Sequence, residues 1–598
     1  MSGETHSKRS AAIAFTVVAG MGLLAVSRAA SQDQASEPYN PYPPGILPAD
    51  VAAETARVRD EVRKAFDRVL KEWKDLGPLT RQGNPPSIAD RGYAATSLLG
   101  ELMNYDETIS VNRNQACASC HMPYTGFGGP IPSVNLTMAA YPGSAHFRAA
   151  VRTPMRYSYA SRFPVLYYDQ AQQDFYGGNF WDGRATGYQL QNPNAEQAMD
   201  PPVSAGEMGF ADTACITYRL SEAQYRPLFE DVWGAGSLDI EWPAETEKIC
   251  STPAGASEFG NSATPLPLRP GERTRSDTAY AHWGQSISLY QSSPNVIAFS
   301  SKFDAYLAGN YALTTQEMAG YKLFRGKGNC NSCHLDGAST LLADGTADTG
   351  AAADAAPLFT DFTYANIGLP LNPRVPSYYE TVADSHGFTP NPSGFGFRDL
   401  GMGNFLRSVN GTNPNADWTS LAPQFDGAMQ VVSARNAALT PSQCPTTEAG
   451  QIDADGKPVP YFQKGFFHNG YIKSLKQLVH FYNTRDLHAY PVTSGNCPAG
   501  KTERVDCWPM PEVPNNVDKT IGNLGLTGEE EDQIVAFLQT LTDGYTTPFP
   551  NRDLFAGKCQ TGGSAATQGN ETLIAAPDLP TCSREICGVA PEPQPPIR

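Results

Sequence analysis

The sequence predicts a mainly α protein with long ordered loops and few short strands, and three observations carry that expectation. Apolar residues recur at helical spacing in several separated segments, Ser/Thr-x-x-Glu/Gln boxes open some of them, and 54 Gly and 49 Pro crowd the stretches between. First in order, His6, Lys8 and Arg9 precede the apolar run Ala11 to Val26, and Ser27-Arg28-Ala29 supplies small residues for a signal peptidase. Residues 1–29 therefore read as a cleaved export signal. The run is shorter than the roughly 20 residues a spanning helix needs, so no membrane span is expected after cleavage. Between Asp50 and Leu76, Val58, Val62, Phe66, Val69 and Trp73 mark a long amphipathic helix. Helices are also expected near Glu222 to Trp233 and over Tyr280 to Leu307. Thr314 with Glu317, Ser474 with Gln477, and Thr527 with Glu530 open three more, the last stopping at Gly544. The tail, 545–598, is rich in Pro, Gly and Ser and has no periodicity.

With 61 acidic against 44 basic side chains the net charge is −17. Such a surface repels polyphosphate, which excludes nucleic acid as a partner. In an oxidising compartment the 12 cysteines either pair or carry a cofactor. Four of them lie in Cys117-Ala118-Ser119-Cys120-His121 and Cys330-Asn331-Ser332-Cys333-His334, each a C-x-x-C-H haem attachment signature. The spacing has a chemical reason: two thiols add to the two vinyl groups of one porphyrin while the adjacent imidazole binds its iron. Two covalently bound haem c groups follow, with His121 and His334 as iron ligands. The fold class becomes two cytochrome c-like haem domains, spanning 30–275 and 276–544. The other eight cysteines are expected in disulfides that staple loops, Cys215 with Cys250 and Cys497 with Cys507 among them.

Further wording narrows the choice among c-type cytochromes. Phe180-Trp181-Asp182-Gly183-Arg184-Ala185, Glu196-Gln197-Ala198, Gly206-Glu207-Met208-Gly209 and Phe467-His468-Asn469-Gly470 occur in this order. Over roughly residues 85 to 545 the chain resembles the bacterial dihaem cytochrome c peroxidase and MauG superfamily. The resemblance implies that the N-terminal haem is the peroxidatic one and the C-terminal haem the electron-transfer one. It also implies that Glu207 is the acid/base, that Gln197 is the distal glutamine, and that Trp181 lies between the haems. Asp182 and Arg184 are expected to brace that loop. Counting from His468, the position of the second haem's sixth ligand is Tyr482, where peroxidases of the family carry methionine and MauG-like members tyrosine. Tyr482 also continues the apolar face of Leu475, Leu478 and Val479, and Met510 is a competing ligand. His146 lies near the position of a distal histidine on the first haem. Arg152 and Gln463-Lys464-Gly465 stand where the family binds calcium, so the resemblance no longer implies that ion.

The reading that follows is an exported, periplasmic dihaem oxidoreductase. It reduces hydrogen peroxide with electrons from a periplasmic donor such as a small cytochrome c or a cupredoxin, and many relatives act as homodimers. Three alternatives stay open. One is a MauG-like enzyme that oxidises side chains of a partner protein through high-valent haem. Another is a relative of the haem dioxygenases that cleave polyisoprenoids. The third is a non-enzymatic electron carrier with both irons closed.

Overall fold

Helix Ala49–Leu76 forms where the apolar spacing places it: Val58, Val62 and Val69 are buried, Phe66 and Trp73 pack against the same core, and Arg57–Glu61 and Lys71–Asp75 ion pairs run along the wet face. A computed structural model describes residues 49–76, 94–136, 138–255, 266–337, 356–408, 413–439, 465–473, 475–487, 489–490, 504 and 506–546. All fall within one contact unit, Asn40–Arg598. The export signal, residues 441–460, most of the tail and Cys444, Cys497, Cys559, Cys582 and Cys587 lie outside the described residues.

The described residues are mainly α. The strands are short pairs: Tyr167–Asp169 with Asp174–Tyr176, Tyr364–Ala365 with Met429–Gln430, and Ala489–Tyr490 with Trp508–Pro509. One helix crossing recurs beside each C-x-x-C-H turn. Helix Ala94–Asn104 crosses Pro270–Gln291 at Gly100, where a Cβ would lie 2.0 Å from the Ser286 carbonyl oxygen. Helix Thr315–Arg325 crosses Gly528–Gln539 at Gly320, where a Cβ would lie 1.8 Å from the Gln533 carbonyl oxygen. Only glycine lets the two backbones approach so closely. The first crossing belongs to a core that runs from Val51 to Ile287 with Leu439, the second to a core from Phe303 to Leu541. The 275/276 boundary falls inside helix Pro270–Gln291, whose Ala279, Tyr280, Trp283 and Ile287 all join the first core.

Three helix ends depart from expectation. Tyr280 to Leu307 is two helices, Pro270–Gln291 and Lys302–Leu307. Pro294 cannot donate to a continuing helix and disfavours helical geometry at Ser293, while Ser301 and Asp304 form a fresh capping box. The segment near Glu222 to Trp233 is helical only over Arg226–Trp233, after the separate helix Ala214–Glu222. The last helix ends at Gln539, ahead of Gly544. There Asp543 is drawn away to accept from the Tyr159 hydroxyl at 2.6 Å and the Ser300 N–H at 2.9 Å.

Cys215 and Cys250 form the expected disulfide, with Cα atoms 5.3 Å apart. Cys507 is also disulfide-bonded, and Cys497, its expected partner, lies outside the described residues. Among the described residues no helix is long and apolar enough to cross a membrane.

Glu380 carries a testable cost of burial. Its Oε2 has no hydrogen bond among the described residues, and burial, helped by Asp384, lifts its carboxyl to about 7. The unfolded chain releases this proton near the ordinary value of 4.5, so stability falls as pH rises from there to about 7. Glu380→Gln removes that dependence. It is expected to gain up to about 3 kcal/mol on the parent between about pH 4 and about pH 8, read by denaturant melts. A difference between the two proteins that does not change with pH would count against this.

Candidate functional site

Each C-x-x-C-H motif is a single 3-10 turn, Cys117–Ser119 and Cys330–Ser332. In the first, Ser119 Oγ accepts from the Ala116 N–H at 3.0 Å and holds the turn closed. His121 Nδ1–H donates to the Phe127 carbonyl at 2.8 Å, which leaves Nε2 as the atom free to bind a metal. Phe127 stands at φ +63° in a turn closed by the Met122 N–H on the Gly128 carbonyl. Burial lowers His121 to about 4 and raises the Cys117 thiol to about 12. The imidazole is therefore neutral, the form that ligates.

The second motif repeats the device. His334 Nδ1–H donates to the Phe359 carbonyl at 2.9 Å, and Phe359 again has positive φ, +53°. These two carbonyl acceptors are functional groups that the residue pattern does not announce, because any residue could carry them.

Glu207 sits in a loop of successive turns that starts at Asp200, one turn after Gln197. Its backbone is tied at both ends: the Glu207 N–H donates to Ser204 O, and the Ser144 N–H donates to the Glu207 carbonyl at 2.7 Å. Gly143 makes the seat, since a Cβ there would come within 2.8 Å of that same carbonyl oxygen. The Glu207 carboxylate is close enough for its charge to add to the upward shift of both Cys117 and Cys120. Gln197 is half-buried on helix Pro193–Ala198, with no hydrogen bond from its side-chain amide among the described residues. His146 is exposed and faces Asn114 Nδ2 at 3.2 Å from its Nε2.

At the second motif a cavity of about 210 Å³ is lined by Cys330, Cys333, His334, Tyr482, Trp181 and His468. Leu475, Leu478, Val479 and Tyr482 line it from one face of helix Leu475–Thr484, so the apolar stripe and the candidate ligand share an orientation. The Tyr482 hydroxyl has no hydrogen-bond partner among the described residues, and burial raises it well above the ordinary phenol value. Met510 is 40% exposed and absent from the cavity wall. His468 Nε2 is buried without a partner among the described residues, and burial lowers that imidazole to about 4. Two free thiols, a neutral imidazole with its outer nitrogen open and an orphaned polar atom around a largely apolar cavity fit a haem c.

Trp181 stands on the wall of this cavity, held from both halves of the chain. Its Nε1–H donates to Thr153 O at 3.2 Å, its carbonyl accepts from the Gln430 N–H at 2.8 Å, and its ring meets His468 edge-on at 6.4 Å. Asp182 and Arg184 brace the loop as expected: Arg184 binds Asp182 at 3.0 Å and Asp200 at 3.0 Å, tying it to the start of the Glu207 loop. Arg152 joins the halves, donating to Asp182 at 2.7 Å and through two nitrogens to Asp399 at 2.7 Å. Its guanidinium already neutralises both carboxylates and holds Asp399 below the usual carboxylate range despite burial. The residues at this position therefore do not fit a calcium ion.

Residues 94–312 match the family model described as Di-haem cytochrome c peroxidase. Over 454 residues the chain is 26% identical to the methylamine utilization protein MauG of Paracoccus denitrificans (strain Pd 1222), covering 75% of this chain and 89% of that protein. It is 23% identical over 478 residues to the cytochrome-c peroxidase IdrP1 of Denitromonas iodatirespirans, covering 79% and 87%. The fold is similar to the crystal structure of the diheme peroxidase BthA from Burkholderia thailandensis E264, with a TM-score of 0.51 at 24% identity, over 75% of this chain and 86% of that one.

Proposed function

Since the chain belongs to the dihaem cytochrome c peroxidase and MauG superfamily, we propose that it is an exported dihaem c-type enzyme that reduces hydrogen peroxide with electrons from a periplasmic redox protein. The observation that carries this reading is an asymmetry between two equivalent motifs. The His121 motif lies within the field of a carboxylate, Glu207, whereas the His334 motif faces a phenol, Tyr482.

Cys117, Cys120 and His121 would hold one haem and Cys330, Cys333 and His334 the other, with Tyr482 as the sixth ligand of the second. Haem c supplies the iron that takes peroxide and the electrons that reduce it. The protein's own part is proton management and positioning. Glu207 would accept a proton from one oxygen of the bound peroxide and return it to the other, which leaves as water. Gln197 orients peroxide beside it. Trp181, held by Thr153 O and the Gln430 N–H, keeps an oxidisable indole at the wall of the second site. Overall, peroxide with two protons and two electrons gives two waters.

Tyr482 favours a second reading, in which the enzyme is MauG-like and the oxidising equivalents leave through side chains of a partner protein. A hard phenolate oxygen favours oxidised iron, in contrast to a thioether. One equivalent of peroxide added to the fully ferric protein separates the two, followed by absorption and low-temperature EPR. Loss of the high-spin signal within the mixing time, without a reductant, supports the MauG-like branch. Reaction only after one haem is reduced supports the peroxidase. No reaction in either state, with no cyanide binding at either haem, identifies a carrier and defeats both.

A further inference from the structure

Among the described residues Arg156 is a cation without an acid partner. It is the one arginine or lysine among the described residues lining the cavity at the His334 motif, and its single hydrogen bond is from Nη2 to the Ser433 carbonyl at 3.5 Å. Four arginines elsewhere in the molecule meet carboxylates: Arg148 with Asp384, Arg152 with Asp399, Arg219 with Glu247, Arg435 with Asp304. The acids on the cavity wall are engaged elsewhere. Asp399 binds Arg152, Glu512 accepts from the Tyr378 hydroxyl at 3.1 Å, and Asp518 accepts from the Thr520 N–H at 2.7 Å. Burial alone pushes the Arg156 guanidinium down to about 10. Arg156 is half-buried and lines the cavity, so whatever fills the cavity would desolvate its cation and would have to bring a counter-charge.

Resting on the reading above, that a haem c fills it, we infer that Arg156 is the anchor of a propionate of the second haem, reaching it from the loop that supports the first. The stem of Arg156 packs on the turn of the first motif: a Cβ on Gly128 would lie 3.0 Å from its Cγ, and one on Gly126 3.5 Å from its Cδ. Ser158 Oγ donates to the Gly126 carbonyl at 3.1 Å and ties the two segments together. Between these glycines stands Phe127, whose carbonyl orients His121. One side chain therefore ties the ring carboxylate of one haem to the turn that aims the proximal histidine of the other. A planar guanidinium suits a carboxylate as an ammonium does not, because it presents two parallel donors.

The charge also has an electrical consequence. Reduction adds an electron to the haem, and a neighbouring cation favours that state. Arg156→Gln in the dihaem holoprotein is expected to lower the midpoint of the second haem by at least a tenfold change in its reduction equilibrium, about 59 mV for one electron. Arg156→Lys, which keeps the charge, is expected to recover most of the shift, and the first haem should move less in both variants. Spectroelectrochemistry of the parent and the two variants, each with its haem content measured, reads this. Two haems per chain with an unchanged second midpoint overturn the inference alone. A parent with one haem per chain, at His121, overturns the functional reading and this inference with it. If the glutamine variant does not fold, a structure of the parent holoprotein decides instead. A guanidinium nitrogen within hydrogen-bond distance of a propionate oxygen supports the inference, and Arg156 turned away from both propionates overturns it.

Discussion

Glu207→Gln is expected to slow the reaction with peroxide by about 10²- to 10⁴-fold, the range a positioned acid/base contributes, while both haems stay attached. The substitution keeps the size of the side chain and removes only its ability to accept and return a proton. The loop should keep its shape, because its hydrogen bonds to Ser204 and Ser144 run through the backbone of residue 207. Stopped-flow kcat/KM should fall while the affinity for cyanide at the first haem, measured at alkaline pH where the ligand is already an anion and needs no base, changes little. A rate within about threefold of the parent would remove Glu207 from the chemistry. Loss of haem or of cyanide binding would instead give the loop a structural role.

Tyr482→Phe is expected to open the second haem. The phenol oxygen has no hydrogen bond to lose among the described residues, and the ring continues the face built by Leu475, Leu478 and Val479. Deleting the hydroxyl therefore costs little packing, and a spectral change reports on ligation. The expected outcome is replacement of one low-spin ferric EPR signal by a high-spin signal, with cyanide then binding two sites in place of one. Tyr482→Met should restore six-coordination with a softer donor and raise the second midpoint relative to the parent. An unchanged spectrum in the phenylalanine variant would reduce Tyr482 to a core residue. The exposed Met510 would then need a large loop movement to replace it, starting from a position outside the cavity wall.

The division between what could be read early and what could not follows the range of the interactions. The two C-x-x-C-H motifs, the capping boxes at Thr314 and Thr527, and the stripe from Val58 to Val69 depend on residues within a few positions of one another, and each local pattern has one favourable geometry. The sequence by itself therefore determined the two C-x-x-C-H turns, the mainly α class and most helix starts. Helix ends were less legible. Asp543 leaves the helical path for Tyr159 and Ser300, residues far away in the chain.

Charge partners were less legible still. Nothing near Arg152 in sequence points to Asp399, and nothing near Arg156 distinguishes it from a solvated arginine. Tertiary structure alone decided that the first fills a carboxylate cleft with its own guanidinium, while the second lines the cavity at the second motif without an ion pair among the described residues. It also decided that His121 and His334 are each oriented by a phenylalanine carbonyl. The physical reason is that a backbone acceptor or a buried charge takes its meaning from what is packed against it, and that packing exists only once segments hundreds of residues apart have met.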